Sequence, residues 1–291
     1  MKYRVTHRTV HKYRSPVSVG NHIACLTPRS GPSHQCISHQ LNVNPEPATR
    51  TERTDYFGNK LTIFTVQQPH NTLLVESKSE VVLSPPDPWP TKTPAWNDVV
   101  DSVRGDYSEA GLEAYQFVFE SPRIRPSADF AAYASPSFPP GRSLGESLLD
   151  LTHRIHQEFR FDSKATHVGT TGEEVLRRRR GVCQDFAHVQ IACLRSLNLP
   201  ARYVSGYLRT YPPPGRPRLV GADASHAWVS AYCPGFGWLD VDPTNDVVPS
   251  QSHVTLAWGR DYGDVSPLRG LILGGREHTL KVGVDVEPFD D

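Results

Sequence analysis

Long apolar runs are missing from this chain: no 18 consecutive apolar residues occur among its 291 positions. A membrane-spanning helix is therefore not predicted, because crossing a bilayer requires about 20 such residues. The opening residues, MKYRVTHRTVHKYRSPV, also lack the apolar segment of a secretory signal. These absences predict a cytoplasmic protein without a membrane partner.

An excess of charge of either sign is missing as well. Lys plus Arg and Asp plus Glu number 31 each, so the formal net charge is +0. The charge balance gives no support for nucleic-acid binding, and the sequence contains no recognisable nucleic-acid-reading motif. We therefore expect no nucleic-acid partner.

Cysteine and metal-binding patterns are sparse. Five scattered cysteines, an odd number, do not indicate a disulfide framework, and reduced thiols agree with a cytoplasmic location. No EF-hand or other acidic cluster is present. His153 and His156 have no identifiable further zinc ligands. Five histidines near the N-terminus also lack tight ligand spacing: His7, His11, His22, His34 and His39. We expect no cofactor and no metal.

Proline and turn residues divide the chain into four parts. Residues 1–83 contain short strand patterns with a tight turn at 55–59 and predict an N-terminal β-sandwich-like domain. Residues 84–108 begin with a proline-rich stretch and predict a stiff linker. Residues 109–250 mix helix and strand patterns, and residues 251–291 return to strands that would complete one of the two sheets. The pattern predicts an α+β fold.

The stretch GVCQDFAHVQIACLRSLNLP at 181–200 predicts a central helix from Cys183 to about Leu197. Its apolar residues occupy two stripes, which indicates burial on most sides. Gly181 is interpreted as the stop of the preceding helix. At the start of a helix, unpaired N–H groups and the helix dipole favour thiolate, the nucleophilic form of cysteine. Cys193, on an apolar stripe, is interpreted as an inert core residue.

The stretch ASHAWVSAYCPGFGWLDVDPTN at 224–245 predicts a β-hairpin. With a five-residue loop at 233–237, Trp228 lies opposite Asp242, and His226 shares the face of Asp242 one diagonal step away. A four-residue loop would place the two side chains on opposite faces. Cys183, His226 and Asp242 are therefore the candidate catalytic residues.

Other residues near this constellation have alternative interpretations. Asp240 shares the face of Asp242 and is kept as an alternative acid, and Asp223 is a second rival. Asp185 is interpreted as an acid of the first helical turn. The arginines at 177–180 predict a basic helix end, either simply solvated or steering an acidic substrate. The loop before His226 is predicted to form a wall of the substrate cleft.

Three ordered motifs, GVCQDFAHVQIACLRSLNLPARYVSGYL, DASHAW and GWLDVDPTN, resemble the bacterial branch of the transglutaminase-like superfamily of cysteine enzymes. The turn DYFGN and the closing GRDYGDVSPLRG resemble the same branch, so the similarity covers nearly the whole chain. The resemblance implies an N-terminal β domain and a papain-like core in which the cysteine-bearing helix packs on an antiparallel sheet. It also implies a triad of Cys183, His226 and Asp242.

The activity implied by the resemblance is thiol-dependent hydrolysis of amide, peptide or isopeptide bonds in a peptide or protein substrate, through an acyl-enzyme. Protein-glutamine transamidation by the same acyl-enzyme is the nearest alternative, since these residues do not separate water from an amine as acceptor. A non-catalytic binding module that retains the fold and a metal site built from Cys183, His226 and an acid are the remaining alternatives. The oligomeric state is not predicted.

Overall fold

The computed structural model describes residues 1–167, 169–210 and 223–289. Within these ranges the strands are β1 (Lys2–Ala24), β2 (His34–Asn44), β3 (Thr49–Thr54), β4 (Lys60–Val66), β5 (His70–Leu83), β6 (Arg160–Phe161), β7 (Arg180–Gly181), β8 (Ala201–Leu208), β9 (Ala224–Cys233), β10 (Gly237–Val241), β11 (His253–Gly259), β12 (Leu268–Gly274) and β13 (His278–Pro288). The helices are α1 (Trp96–Gly105), α2 (Glu109–Tyr115), α3 (Ala128–Ala134), α4 (Leu144–Glu158), α5 (Gly172–Arg178), α6 (Cys183–Ser196) and α7 (Tyr262–Val265). None of these helices is both long and apolar enough to cross a bilayer.

Seven of the described strands form one antiparallel sheet around β1. This strand has 23 residues, enough to pair with two partners in succession on each side. Its first half pairs with β5 and β13, and its second half pairs with β4 and β12. Between β3 and β4, Asp55 Oδ1 accepts hydrogen bonds from the N–H groups of Phe57 and Asn59 at 2.9 and 2.8 Å, which forms the predicted tight turn.

A second sheet contains four described strands in the order β10-β9-β8-β11, all antiparallel. Helix α6 packs on β8 and β9. Every residue from Asp185 to Arg195 is buried, as the two apolar stripes of this helix predicted. The cysteine-bearing helix is thus enclosed along most of its length, and its first residue lies at the edge of the packed region.

One cluster of buried apolar residues joins the two sheets. It contains Tyr3 of β1 and Val284 of β13 together with residues of α6, β8 and β9. Hydrogen bonds cross the same boundary, since Asn59 Nδ2 donates to the carbonyl oxygen of Trp258 at 2.8 Å. This continuous core fixes the N-terminal sheet against the cysteine-bearing half of the chain.

The predicted α+β class is confirmed, and a helix lies in the second half of the linker predicted at 84–108. Residues 84–94 form no helix or strand, in agreement with their proline content. Residues Trp96–Gly105 form α1, and Val99 and Val103 join the core. These two valines lie four positions apart on one helix face, a pattern that the neighbouring prolines obscured.

The strands of the predicted C-terminal part, 251–291, divide between the two sheets. β11 pairs with β8, whereas β12 and β13 pair with β1. The sequence left both outcomes open. The return of β12 and β13 to β1 places C-terminal residues beside the first residues of the chain.

Helix α4 offers a direct test of the core. Leu148 has no exposed surface, whereas the adjacent Leu149 is 37% exposed. We expect Leu148→Ala to lower the free energy of unfolding by about 2–5 kcal/mol, because it removes buried carbon and leaves a cavity. Leu149→Ala is the matched control and should change it by no more than about 0.5 kcal/mol. Urea denaturation measures both, and equal effects would contradict this packing.

Candidate active site

Cys183 is the first residue of α6 and is partly exposed. The preceding Val182 is extended (φ −111°, ψ 177°), so the helix begins abruptly at the cysteine. The N–H of Val182 donates to Asp185 Oδ2 at 2.8 Å, and Thr166 Oγ1 donates to the same oxygen at 2.7 Å. The Asp185 carboxylate thus caps the N-terminal end of the helix. The positive end of the helix dipole therefore lies at Cys183.

Gly181 has a different role from the one predicted. Helix α5 ends at Arg178, and Arg179 (φ +53°) is the left-handed residue that follows it. Gly181 pairs with Phe161, and a Cβ at Gly181 would lie 2.5 Å from Asp185 Oδ2. The prediction that this glycine stops a helix is therefore wrong. Its missing side chain makes room for the carboxylate that holds the start of α6.

The β9–β10 hairpin has the register that places histidine and acid together. Trp238 lies opposite Tyr232, and continued pairing brings Asp242 level with Trp228. His226, two residues before Trp228, therefore shares a face with Asp242. The distance between His226 Nε2 and Asp242 Oδ2 is 2.7 Å.

Asp242 is fully buried and accepts five hydrogen bonds. Its Oδ1 accepts from the N–H groups of Thr244 and Asn245 at 2.9 and 3.2 Å. Its Oδ2 accepts from His226 Nε2 and Asn245 Nδ2, both at 2.7 Å, and from His253 Nε2 at 3.2 Å. Burial alone raises the pKa of Asp242, but these donors outweigh burial and hold the pKa well below its usual range. The buried carboxylate is therefore charged.

His226 is the cationic partner of that carboxylate. Burial alone lowers the pKa of His226, but hydrogen bonds to Asp242 and Cys183, and the charges of both, raise the pKa to about 10. Because Asp242 holds Nε2, the ring nitrogen left for Cys183 is Nδ1. At neutral pH the imidazole therefore carries a proton on both nitrogens and lies between sulfur and carboxylate.

His253, the first residue of β11, is a member of the site that the sequence did not indicate. Besides its contact with Asp242, its ring packs edge-on against Trp228 at 5.3 Å between ring centres. β8 lies between β9 and β11, and Gly206 on β8 makes room for the indole, since a Cβ there would lie 2.5 Å from it. Motif spacing does not encode this strand order, so only a prediction of the sheet order could have found His253.

The rival acids have other partners. Asp240 Oδ2 accepts a hydrogen bond from Trp228 Nε1 at 3.0 Å. Asp223 accepts from the N–H groups of Thr210 and Val286 at 2.7 and 2.6 Å. Asp242 is thus the acid that the structure places against the imidazole.

The two histidines of α4 hold the turn that follows Asp242. His153 Nδ1 lies 2.7 Å from Asp246 Oδ2, and His156 Nδ1 lies 2.9 Å from the carbonyl oxygen of Thr244. Each ring has its own partner in the turn. These two contacts position residues 244–246, which supply three of the five donors to Asp242.

Metal binding was one of the alternatives for this site. Among the described residues, one group of His, Cys, Asp and Glu has ligand atoms within 4.8 Å of one another: His226, Asp242 and His253. Cys183 is not in this group. Two imidazoles and a carboxylate suit zinc, but both Nε2 atoms point at the same carboxylate oxygen. Ring N–H protons account for that arrangement without a cation.

A cleft of about 330 Å³ opens beside Cys183 and His226. Residues of α6, β8 and β9 line this cleft together with residues of β1 and β13. The loop at 210–225, predicted to form a cleft wall, lies largely outside the described residues. The N-terminal sheet therefore takes part in the cleft, which the sequence did not indicate.

Two known family patterns match the chain. Residues 3–82 match the bacterial transglutaminase-like N-terminal region. Residues 139–243, which contain Cys183, His226 and Asp242, match the transglutaminase-like superfamily. The two matches cover the N-terminal sheet and the cysteine-bearing half respectively.

Relatives at high coverage occur in mycobacteria. An uncharacterised protein of Mycobacterium tuberculosis is 42% identical over 99% of this chain and 93% of its own length. A Mycobacterium leprae protein, also uncharacterised, is 32% identical over 98% of both chains. A protein-glutamine gamma-glutamyltransferase of Pseudomonas aeruginosa is 34% identical over 51% of this chain and 23% of its own length.

A solved structure shares the fold. A protein of Cytophaga hutchinsonii, provisionally described as a cysteine protease, matches with a TM-score of 0.76 at 22% identity. The match covers 100% of this chain and 92% of that one. Both the N-terminal sheet and the helix-and-sheet core are thus shared with that protein.

The His226–Asp242 pair predicts a specific titration. Since the pKa of His226 is raised to about 10, its ring should remain an imidazolium through neutral pH and lose its proton only near pH 10. Asp242→Asn removes the charge that favours the proton, so the imidazolium should then deprotonate at a lower pH. NMR titration of the His226 ring resonances measures this shift.

Asp240→Asn is the matched control, because Asp240 lies on the same hairpin but bonds to Trp228. This variant should leave the pH at which His226 deprotonates unchanged. A wild-type His226 that titrates near 6.5, or equal shifts in both variants, would contradict this arrangement.

Proposed function

Because the chain belongs to the transglutaminase-like superfamily, we propose that it is a thiol-dependent hydrolase that cleaves amide, peptide or isopeptide bonds through an acyl-enzyme on Cys183. The observation that carries the proposal is the 2.7 Å hydrogen bond between His226 Nε2 and the buried, charged Asp242. This bond leaves Nδ1 for the sulfur of a cysteine at a helix start. Such an arrangement supports a thiolate–imidazolium pair.

In the proposed reaction, the Cys183 thiolate attacks the carbonyl carbon, and the carbonyl π electrons move to oxygen. The backbone N–H of Cys183 is one candidate donor to that oxyanion. As the intermediate collapses, the C–N bond breaks and the leaving nitrogen takes the Nδ1 proton of His226. A thioester remains. Neutral His226 then takes a proton from water, whose oxygen displaces the sulfur and restores the thiolate–imidazolium pair.

The acyl group of the same thioester could instead be transferred to an amine. The Pseudomonas aeruginosa relative, a protein-glutamine gamma-glutamyltransferase, supports this second candidate. The two reactions differ only in whether water or an amine attacks the thioester. The choice between them therefore depends on the acceptor side of the cleft rather than on Cys183, His226 or Asp242.

The free-energy cost of burying the charged Asp242 disfavours a binding module without activity. A buried charge is stabilised only by good geometry and several partners, and a purely structural site could use apolar residues instead. The five hydrogen bonds of Asp242 are therefore better accounted for by a need to keep His226 charged and oriented.

Selective alkylation tests the nucleophile. Burial raises the pKa of Cys25 to about 12 and of Cys233 to about 11, so both should remain slow thiols at neutral pH. We expect iodoacetamide to modify Cys183 first, as located by peptide mass spectrometry. His226→Ala should slow this modification at least about tenfold, because the imidazolium no longer stabilises the thiolate.

His153→Ala is the control for that experiment, since His153 contacts Asp246 rather than sulfur. It should leave the alkylation rate of Cys183 close to that of the wild type. If His226→Ala reacts as fast as the wild type, the proposed pair does not exist.

Turnover separates the candidate functions. A peptide and isopeptide library, with and without an added amine, should give free acid with the wild type and no product with Cys183→Ala. Amine adducts would favour transamidation instead. Fast alkylation of Cys183 without turnover of any library member would favour a binding module. Stoichiometric zinc in the purified protein, with alkylation of Cys183 only after EDTA treatment, is not expected and would favour a metal site.

A further inference from the structure

The N-terminal sheet forms one wall of the cleft beside Cys183. His7, Thr9 and His11 of β1 line it, together with Leu280 and Val282 of β13. The register pairs Thr9 with Val282 and His11 with Leu280, so all five side chains share one face of the sheet. This face is therefore part of the site rather than a separate surface.

The aliphatic side chains of this wall are left exposed to water. Leu280 is 54% exposed and Val282 is 50% exposed, although both line a cleft. Leu268 and Pro267 continue the apolar lining from the start of β12. Exposed aliphatic surface inside a concave site is typical of a surface that a ligand covers.

The described lining of the cleft contains no Lys, Arg, Asp or Glu. Burial lowers the pKa of His7 to about 4, and burial together with the charge of His278 lowers the pKa of His11. Both rings are therefore neutral at pH 7. A charged substrate group on this wall would lose hydration without meeting an opposite charge. If the arginines at 177–180 steer an acidic substrate, the described residues of the wall offer no further Lys or Arg to bind it.

One directed hydrogen-bond donor interrupts the apolar wall. Tyr207 Oη lies 3.0 Å from His7 Nδ1, and His7 Nε2 lies 2.9 Å from Thr9 Oγ1. Burial raises the pKa of Tyr207 well above its usual value, so its hydroxyl stays protonated, and in the Nε2–H tautomer of His7 this hydroxyl donates to Nδ1. Nε2–H then donates to Thr9 Oγ1. The Thr9 hydroxyl proton is left to donate into the cleft.

We propose that this wall is the acyl-side subsite, which takes a peptide segment with an uncharged aliphatic side chain on Leu280 and Val282 and a backbone carbonyl on the Thr9 hydroxyl. The proposal rests on the proposed function, because it names the substrate class of the same site. The chemistry required is that of an apolar peptide segment: aliphatic surface, one carbonyl acceptor and no charge. The N-terminal sheet then determines specificity, and the second sheet carries out the reaction.

Electrophilic peptides of matched length test the subsite without a known substrate. The probes are acetyl-dipeptidyl acyloxymethyl ketones with Leu, Asp or Lys at the position next to the electrophile. We expect the Leu probe to inactivate Cys183 at least about tenfold faster than the Asp and Lys probes. Iodoacetamide measures the reactivity of Cys183 itself in every variant.

Truncation of the wall should remove the preference. Leu280→Ala combined with Val282→Ala should reduce the Leu-over-Asp ratio about tenfold and leave the iodoacetamide rate unchanged. Leu271→Ala combined with Leu273→Ala is the matched control, because these leucines lie on the same sheet, are 73% and 60% exposed, and do not line the cleft. The control should keep the wild-type ratio.

The Thr9 hydroxyl is tested by an isosteric change. Thr9→Val should slow the Leu probe about three- to tenfold and leave the iodoacetamide rate unchanged, since one hydrogen bond is lost. Thr6→Val is the control, because Thr6 lies on the other face of β1. It should have no effect on either rate.

The outcomes distinguish a failure of the proposed function from a failure of the subsite. Slow, unselective reaction of Cys183 with iodoacetamide would overturn the proposed function. Fast reaction with iodoacetamide, but equal rates for the Leu, Asp and Lys probes, would overturn the subsite alone. A Leu preference that survives truncation of Leu280 and Val282 would also overturn it.

Discussion

The buried carboxylate of Asp242 is the constraint on which the rest of this site depends. A carboxylate without exposed surface would be protonated unless several donors compensate for lost water. Here the donors come from three places: His226 on β9, His253 on β11 and the turn at 244–245. Because these elements meet only in the folded chain, the tertiary structure lets the buried Asp242 keep its charge and raises the pKa of His226.

Distant elements support this carboxylate. On one side, α4 holds the turn after Asp242 through His153 and His156. On the other, His34 of the N-terminal sheet contacts the carbonyl oxygen of His253 at 3.0 Å. The N-terminal sheet therefore has two connections to the site: it supports the strand that carries His253, and its β1 and β13 face the cleft. A sheet with both connections is a structural part of the core rather than an appended domain.

Local patterns were enough to predict the parts of the site that depend on neighbouring residues. The start of α6 at Cys183 follows from helix patterning, and the alternation in β9 and β10 with an odd loop determines which face His226 and Asp242 share. His253 and the wall containing Thr9 could not be predicted in this way. Both depend on which strands become neighbours, and that order is decided by packing over long sequence separations, as for β13 beside β1. Helix α1 was missed for a simpler reason, since proline content masked its valine pair.

The neutrality of the cleft wall and the strength of the His226–Asp242 pair are linked by the same electrostatics. Charges interact more strongly where water is excluded, but an isolated charge there is also more costly. The proposed thiolate–imidazolium pair would tolerate an apolar wall because Asp242 lies 2.7 Å from the imidazole. A lysine or aspartate at Thr9 or Val282 would compete with that pairing for the sulfur or the ring. An aliphatic substrate covering Leu280 and Val282 would instead displace water and strengthen the interaction between the sulfur and the imidazolium. The proposed selection of an apolar acyl group and the proposed activation of Cys183 would thus follow from one arrangement of charges.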